Sequence, residues 1–111
     1  MKVIKASEGS YYEAPNHFHM WGIRKYGTAD GARTLNVSIS EFLPSGGATM
    51  SASDKERIYC VLRGSIAVKD ESGMVHAVGE DEMIYIAPGE KREIAVNGLV
   101  AARVLVIIGN V

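Results

Sequence analysis

Apolar and polar residues alternate along residues 35–43 of the chain. The odd positions are apolar except for Glu41, and positions 36, 38 and 40 are polar. A period of two residues is typical of a β-strand that buries one of its faces. The pattern therefore predicts a half-buried strand, with an apolar face of Leu35, Val37, Ile39 and Leu43 and a polar face of Asn36, Ser38 and Ser40.

Six further segments are rich in β-forming residues and are separated by residues that favour turns. These predicted strands span residues 20–26, 58–62, 65–69, 83–86, 92–96 and 99–108. Gly64 predicts a hairpin-like pair of the two strands that flank it. Asn97 and Gly98 form the strongest short hairpin signal, because both residue types tolerate positive φ. They predict that the last strand returns alongside the one before it.

Apolar residues show no helical spacing, whereas short strands recur about every ten residues. The chain has 111 residues, of which 47% are apolar, and this is enough for one continuous core. The sequence therefore predicts an all-β sandwich or barrel in a single domain, residues 1–111. Residues 1–19 are expected to form an N-terminal arm or edge strand, and residues 35–108 the core barrel.

The balance of charge and the length of the apolar runs indicate which kinds of partner the protein has. Twelve basic residues against thirteen acidic ones leave no broad field to attract nucleic acid or anionic lipid. The longest apolar run, residues 99–108, is broken by Arg103 and is far shorter than the roughly 20 residues that span a bilayer. With Cys60 as the single cysteine and no secretory signal, a cytoplasmic location is expected. Small β domains often shield their edges by pairing, so we also expect a homodimer.

Two blocks of the sequence carry a family resemblance. The first runs from Pro44-Ser45-Gly46-Gly47 to Gly64, and the second runs from Gly79 to Asn97. Over residues 35–108 they resemble the two sequence blocks of the cupin superfamily. The resemblance implies a small double-stranded β-helix, which is a jelly-roll barrel that holds its ligand inside.

The resemblance also implies where metal ligands would lie, and this chain has other residues there. Arg57, with six residues between it and Gly64, occupies the place of the family's glutamate. Residues 50–53 replace the His-x-His pair, and Arg92 replaces the last histidine after the Pro88-Gly89 turn. A guanidinium stays protonated and offers no lone pair to a metal. We therefore expect neither a metal nor another cofactor in the barrel.

Two arginines at ligand positions predict a different kind of site. Two cations about 4 Å apart repel by about 4 kcal/mol at an effective dielectric of 20, so the pair needs spacing, solvent or a counterion. A guanidinium fork matches a carboxylate or phosphate, so Arg57 and Arg92 could clamp a small anionic metabolite. The alternative is that Glu41, Glu56 or Glu93 neutralises them and the pair is structural.

Three other side chains are candidates for chemistry. Tyr59 has the strand parity of Arg57 and could donate a proton or orient a carbonyl, or it could simply fill volume. His17 and His19 form a His-x-His pair upstream of the barrel core, and on a strand they would share a face. Either could act as a general acid or base, or both could bind a metal with donors from Glu41, Glu56 or His76, or both could be structural.

Three functional hypotheses follow from these residues. The first is a metal-independent enzyme of the isomerase, lyase or decarboxylase type, in which Arg57 and Arg92 hold the anion, Tyr59 is the acid or orienter, and His17 or His19 is the base. The second is a non-catalytic module that binds or senses the same ligand. The third is a metalloprotein that uses His17 and His19. Fold resemblance alone does not separate them.

Overall fold

The structure, a computed structural model, describes residues 1–109 and is built of β-strands. The only helical segment among these residues is a single 3₁₀ turn, Thr28–Asp30, so none of their helices is long or apolar enough to cross a membrane. The all-β prediction is confirmed. The strands are β1 (Ser10–Tyr12), β2 (His17–Tyr26), β3 (Leu35–Ser51), β4 (Arg57–Arg63), β5 (Ile66–Asp70), β6 (Val75–Val78), β7 (Met83–Ile86), β8 (Arg92–Val96) and β9 (Ala102–Gly109).

The long strand β3 belongs to both sheets of a barrel. Its residues 35–42 pair with β9, and its residues 47–51 pair with β8. The strands follow the order β6-β5-β8-β3-β9-β4-β7, and all pairs are antiparallel. β2 pairs along β3, and the short β1 pairs with β2. The sheet therefore folds over along β3 and encloses an interior between its two halves.

Two glycines lie where β3 passes from one sheet to the other. A Cβ atom on Gly46 would overlap the carbonyl oxygen of His19, and one on Gly47 would overlap the carbonyl oxygen of Ile94. Backbones that approach this closely leave no room for a side chain. The glycine pair of the first sequence block thus lets β2 and β8 pack tightly against β3.

Both predicted hairpins are wrong, and for the same reason. β4 pairs with β7 and β9, while β5 pairs with β6 and β8, so Gly64 joins strands of different sheets. The turn at Asn97 and Gly98 likewise leads from β8 in one sheet to β9 in the other. Turn chemistry shows where the chain changes direction, but in a jelly roll the next strand often belongs to the opposite sheet.

The face of β3 that is buried is the opposite of the predicted one. Ser38 and Ser40 are buried inside the barrel with Phe42, whereas Val37 and Ile39 lie on the opposite face of the sheet. The prediction that the apolar face of this strand is the buried one is therefore wrong. The physical reason is that the barrel interior contains a partly polar cavity and the apolar side of the strand forms its outer surface.

Candidate functional site

The barrel interior holds a cavity of about 280 Å³. One part of its wall is apolar, with side chains from both sheets: Phe42, Ile66, Ile94, Val104 and Val106. The polar part of the wall includes Arg57, Arg92, Tyr59, Ser51 and His17. No Asp or Glu is found among the described residues that line it. An apolar cavity with a few convergent polar groups is typical of a small-molecule site.

Arg92 and Arg57 meet at a single phenol oxygen. Arg92 on β8 is only 7% exposed, and its Nε donates a hydrogen bond of 3.0 Å to the Tyr59 hydroxyl. Its Nη1 donates to the Ser51 hydroxyl at 2.8 Å. Arg57 on β4 donates from Nη1 to the same Tyr59 oxygen at 3.5 Å. The two residues at the family's ligand positions are therefore brought together around Tyr59.

No carboxylate within residues 1–109 forms an ion pair with either arginine. The three glutamates proposed to neutralise them have other partners: Glu41 pairs with Arg63 at 2.5 Å and with Arg103 at 3.4 Å, Glu93 with Lys69 at 3.5 Å, and Glu56 accepts from the Tyr85 hydroxyl at 2.9 Å. None of these three glutamates therefore neutralises either arginine, and the choice between a ligand-binding and a structural role stays a prediction. A buried charge without a counterion is costly, and Arg92 is the buried member of this pair.

The Tyr59 hydroxyl is arranged to donate its proton. Both guanidiniums can only donate, so the bonds from Arg92 and Arg57 occupy the acceptor positions of the phenol oxygen. Tyr59 is almost fully buried and lines the cavity. Its own O–H proton makes no hydrogen bond to residues 1–109, and it is therefore available to a molecule in the cavity.

His17 lines the same cavity in a defined tautomer. Its Nδ1 lies 2.7 Å from the carbonyl oxygen of Pro15, and because a carbonyl can only accept, Nδ1 carries the proton. The ring stacks on Phe42 with centroids 6.1 Å apart. Burial lowers the pKa of His17 below its ordinary value, and the charges of Arg92 and Arg57 lower it further, while the hydrogen bond to Pro15 opposes them. Nε2 is thus left as an unprotonated nitrogen at neutral pH, which is the state of a general base.

His19 does not lie in the cavity with His17. The register of β2 shifts between Phe18 and Met20, and His19 adopts a positive φ of 48°. Its exposed ring contacts the Ser45 hydroxyl through Nδ1 at 3.0 Å and does not line the cavity. The prediction that His17 and His19 share a face is therefore wrong, because this irregularity interrupts the alternation of a regular strand.

The described residues do not fit a metal site of the cupin type. No three His, Cys, Asp or Glu side chains within residues 1–109 lie close enough together to hold an ion. Where the resemblance places ligands, the cavity wall has Arg57, Arg92 and Ser51, and the guanidiniums cannot coordinate a cation. His76, considered as a further donor, lies outside the cavity and pairs with Asp70 at 3.1 Å. The polar groups that the described wall offers to a ligand include two guanidiniums, a phenol and an imidazole.

Three further residues that were not predicted as site residues line the cavity. Ser51 holds Arg92 in place, and its position at the family's histidine pair could have indicated this. Ser40 lies in the polar half of the alternation, which pointed to a special interior. Tyr12 comes from the segment expected to be an arm or edge strand, and its hydroxyl donates to Ser38 at 3.2 Å. Nothing in the local sequence of Tyr12 indicates this long-range contact.

No protein-family model and no curated protein matches the sequence, whereas many solved structures match the fold. The chain is similar to the polyketide cyclase RemF from Streptomyces resistomycificus, with a TM-score of 0.86 and 23% identity over 100% of this chain and 80% of that one. It is also similar to a predicted oxalate decarboxylase from Thermotoga maritima, with a TM-score of 0.82 and 16% identity over 99% and 100% of the two chains. An RmlC-like cupin from Shewanella frigidimarina matches with a TM-score of 0.76 and 7% identity over 96% and 88%.

Fold and cavity together define a small β-barrel protein of the kind that holds small molecules. The chain has the cupin fold, and the resemblance seen in its two sequence blocks is confirmed at that level. Its location in the cell and its independence of nucleic acids and membranes stay predictions of the sequence.

Proposed function

We propose that this protein binds a small carboxylic acid between Arg57 and Arg92 and catalyses a metal-independent proton transfer next to a carbonyl group of that acid. The observation that carries the proposal is the pair of guanidiniums in the cavity wall, which no described carboxylate neutralises. Isomerisation and elimination begin with such a proton transfer, and decarboxylation ends with one, when the enolate left by loss of carbon dioxide takes up a proton.

Binding of a carboxylate would remove the main electrostatic cost of the empty cavity. Nη2 of Arg92 makes no hydrogen bond to residues 1–109, although Nε and Nη1 are held by Tyr59 and Ser51. The arginine is thus fixed in position with donor capacity left for a ligand. Guanidinium and carboxylate form charge-assisted hydrogen bonds that are roughly twice as strong as neutral ones. A prearranged cation of this kind favours an anion over a neutral molecule.

The other two polar groups supply the parts of a proton transfer. Nε2 of His17 takes a proton from the carbon next to the carbonyl, and the electron pair moves onto the carbonyl oxygen. The Tyr59 hydroxyl donates a hydrogen bond to that oxygen, where negative charge develops, and the nearby arginines stabilise it. Once the proton on Nε2 has exchanged with solvent, its return to the same carbon completes the exchange. Return of the proton to another carbon completes an isomerisation. Solved structures of this fold include a polyketide cyclase and a predicted oxalate decarboxylase, so enzymes occur among them.

Exchange of carbon-bound protons with deuterium oxide tests this function. Pyruvate, α-ketobutyrate and α-ketoglutarate serve as probes, with exchange followed by NMR. We expect the protein to accelerate exchange next to the keto group of at least one probe by more than tenfold over buffer. The double variant Arg57→Met, Arg92→Met should be folded and inactive.

The second candidate, a binding or sensing module, is favoured by the preformed state of the cavity. It predicts that a probe binds, with a rise in the thermal unfolding midpoint, while no proton exchanges. Exchange that persists in the double arginine variant would contradict the proposed site. Failure of all three acids to bind would remove small keto acids as ligands.

We further propose that a second copy of the chain covers the outer face of the sheet formed by β3, β9, β4 and β7. Strand register aligns two apolar rows there, which we call the outer patch: Tyr85, Ile58, Ile107 and Val37 in one row, and Met83, Cys60, Leu105 and Ile39 in the next. Single exposed apolar residues are ordinary, but a contiguous block marks an interaction surface. In a dimer with two-fold symmetry, such a surface packs against the same surface of the second copy.

Charge and size at the outer patch suit a second copy. Glu41 at its border is already paired with Arg63 and Arg103, so it brings no unpaired carboxylate into the contact. Eight contiguous apolar side chains could form the centre of an interface that buries about 800 Å² on each partner. The outer face of the other sheet carries Lys69 and Glu93 instead.

Sedimentation equilibrium should therefore give about twice the chain mass of 12.0 kDa. Met83→Lys places a charge in the outer patch, where Met83 is 62% exposed in the single chain. We expect this variant to weaken the dimer at least tenfold, because a buried unpaired charge is costly. Val75→Lys is the matched control, since Val75 is 55% exposed on β6 of the other sheet. A monomeric wild-type protein would disprove the homodimer.

A further inference from the structure

Ser40 presents to the cavity a hydroxyl that has no hydrogen-bond partner among residues 1–109. The residue is 3% exposed and lines the cavity from β3. Its hydroxyl makes no hydrogen bond to any of residues 1–109. No described side-chain nitrogen or oxygen is both fully buried and unpartnered. The remaining accessible surface of the Ser40 hydroxyl therefore faces the cavity.

The neighbouring serine on the same face shows the contrast. Ser38 is also buried, but its hydroxyl accepts a hydrogen bond from Tyr12 at 3.2 Å. Around Ser40 the cavity wall is apolar, with Phe42 on the same strand and Val104 as its register partner on β9. The Ser40 hydroxyl keeps accessible surface toward the cavity and has no partner within residues 1–109. Its hydrogen-bonding capacity is therefore open to a molecule that occupies the cavity.

Strand register places Ser40 away from the arginine cluster. Ser40 pairs with Val104, which pairs with Val61 on β4, whereas Tyr59 pairs with Val106. The Ser40 row therefore lies one side-chain row from the Tyr59 row, about 7 Å along the strands. Strand β9, with Val104 and Val106 at these two rows, lies between β3, which carries Ser40, and β4, which carries Tyr59. A ligand that reaches both needs an apolar middle section.

We infer that the ligand is an oxygenated acid, whose carboxylate binds Arg57 and Arg92 and whose second, distal oxygen substituent binds the Ser40 hydroxyl. A distal hydroxyl or carbonyl group would satisfy Ser40, which can donate and accept. Ser40 is then a specificity-determining residue that selects hydroxy- or keto-acids over plain fatty acids. This inference rests on the proposed function, because it takes the arginine pair as the carboxylate site.

Calorimetric titration of matched acids tests the inference. Butanoate, pentanoate and hexanoate are compared with the same acids carrying a terminal hydroxyl. We expect one hydroxylated acid to bind the wild-type protein about tenfold more tightly than its plain counterpart, which is the effect of one net hydrogen bond. Ser40→Ala should remove that preference and leave the affinity for the plain acid unchanged. Ser38→Ala, the matched control, should keep the preference.

Thermal unfolding without ligand supplies an independent measurement. Ser40→Ala should unfold at the same temperature as the wild type or higher, because it removes an unpartnered hydroxyl. Ser38→Ala should unfold at a lower temperature, because it leaves the Tyr12 hydroxyl without its acceptor. A lower midpoint for Ser40→Ala would mean that the hydroxyl is structural, and would contradict the inference.

The outcomes separate this inference from the proposed function. One outcome is that the acids bind the wild-type protein but not Arg92→Met, and that a terminal hydroxyl gives no gain in affinity at any chain length. This outcome overturns the role of Ser40 alone. Acids whose affinity is unaffected by Arg92→Met overturn the arginine site and the inference with it. A preference that survives in Ser40→Ala also contradicts the inference. Complete absence of binding contradicts both.

Discussion

Replacing Arg92 with methionine should weaken the binding of small carboxylates by at least about 100-fold, because each charge-assisted hydrogen bond contributes about 1.5–3 kcal/mol. The same substitution should leave the free energy of unfolding of the empty protein unchanged or raise it. Arg92 is 7% exposed and shares the cavity with Arg57, and no described carboxylate compensates either charge. Removal of one charge relieves its desolvation and the repulsion between the two cations. The lost bonds to Ser51 and Tyr59 offset part of this gain.

Calorimetric titration with pyruvate and α-ketobutyrate, together with thermal unfolding, checks both halves of this expectation. Arg92→Lys keeps a charge but loses the planar fork, so its affinity should fall by about tenfold. Arg33→Met is the control for loss of a positive charge, because Arg33 is exposed and does not line the cavity. Wild-type affinity in Arg92→Met, or a loss of several kcal/mol of stability, would contradict a ligand-binding role for this arginine.

Replacing His17 with glutamine should lower the rate of deuterium exchange by about 10²–10⁴-fold, which is the usual contribution of a general base. Binding of the probe should change little, because the arginine pair holds the carboxylate. The matched variant His19→Gln should exchange at the wild-type rate, since His19 is exposed outside the cavity. Comparable loss in both variants, or full activity in His17→Gln, would exclude His17 as the base.

The pH dependence of the wild-type exchange rate follows from the lowered pKa of His17. Only the neutral imidazole accepts a proton, so the rate should fall on acidification, with a midpoint below the ordinary pKa of 6.5. Stability changes in the same direction. Because burial depresses the folded-state pKa, the unfolded chain takes up the proton first, and this part of the stability is present above pH 6.5 and lost as the pH falls below it. An NMR titration of His17 with a midpoint above 6.5 would contradict this account.

Local pattern predicted several strands correctly. Met83–Ile86 and Arg92–Val96 begin and end where their sequence pattern indicates. Short β-rich segments bounded by Pro88 and Asn97 leave little freedom for these boundaries. The predicted parity of Arg57 and Tyr59 also agrees with the structure, since both line the cavity. Strand boundaries and faces depend on nearest neighbours, and these are visible in the sequence.

The sequence did not show which strands pair, or which face of β3 is buried. Gly64 and Asn97 indicate turns correctly, but each turn leads into the opposite sheet. Ser40 and Val37 occupy the expected opposite faces of β3, yet the serine is the one inside. Which face is interior depends on how the whole sheet folds over, and no single strand carries that information.

The sequence alone predicts an all-β domain with two blocks that resemble those of the cupin superfamily, and it has Arg57 and Arg92 where that resemblance implies metal ligands. The folded chain is needed to see that His17 lines the cavity while His19 lies outside it, because a shift in register between β2 and β3 separates them. It also decided that the candidate glutamates pair elsewhere, so that the two arginines share Tyr59 and no described carboxylate. Residue identity is local, whereas counterions and cavities arise from contacts between strands far apart in the chain.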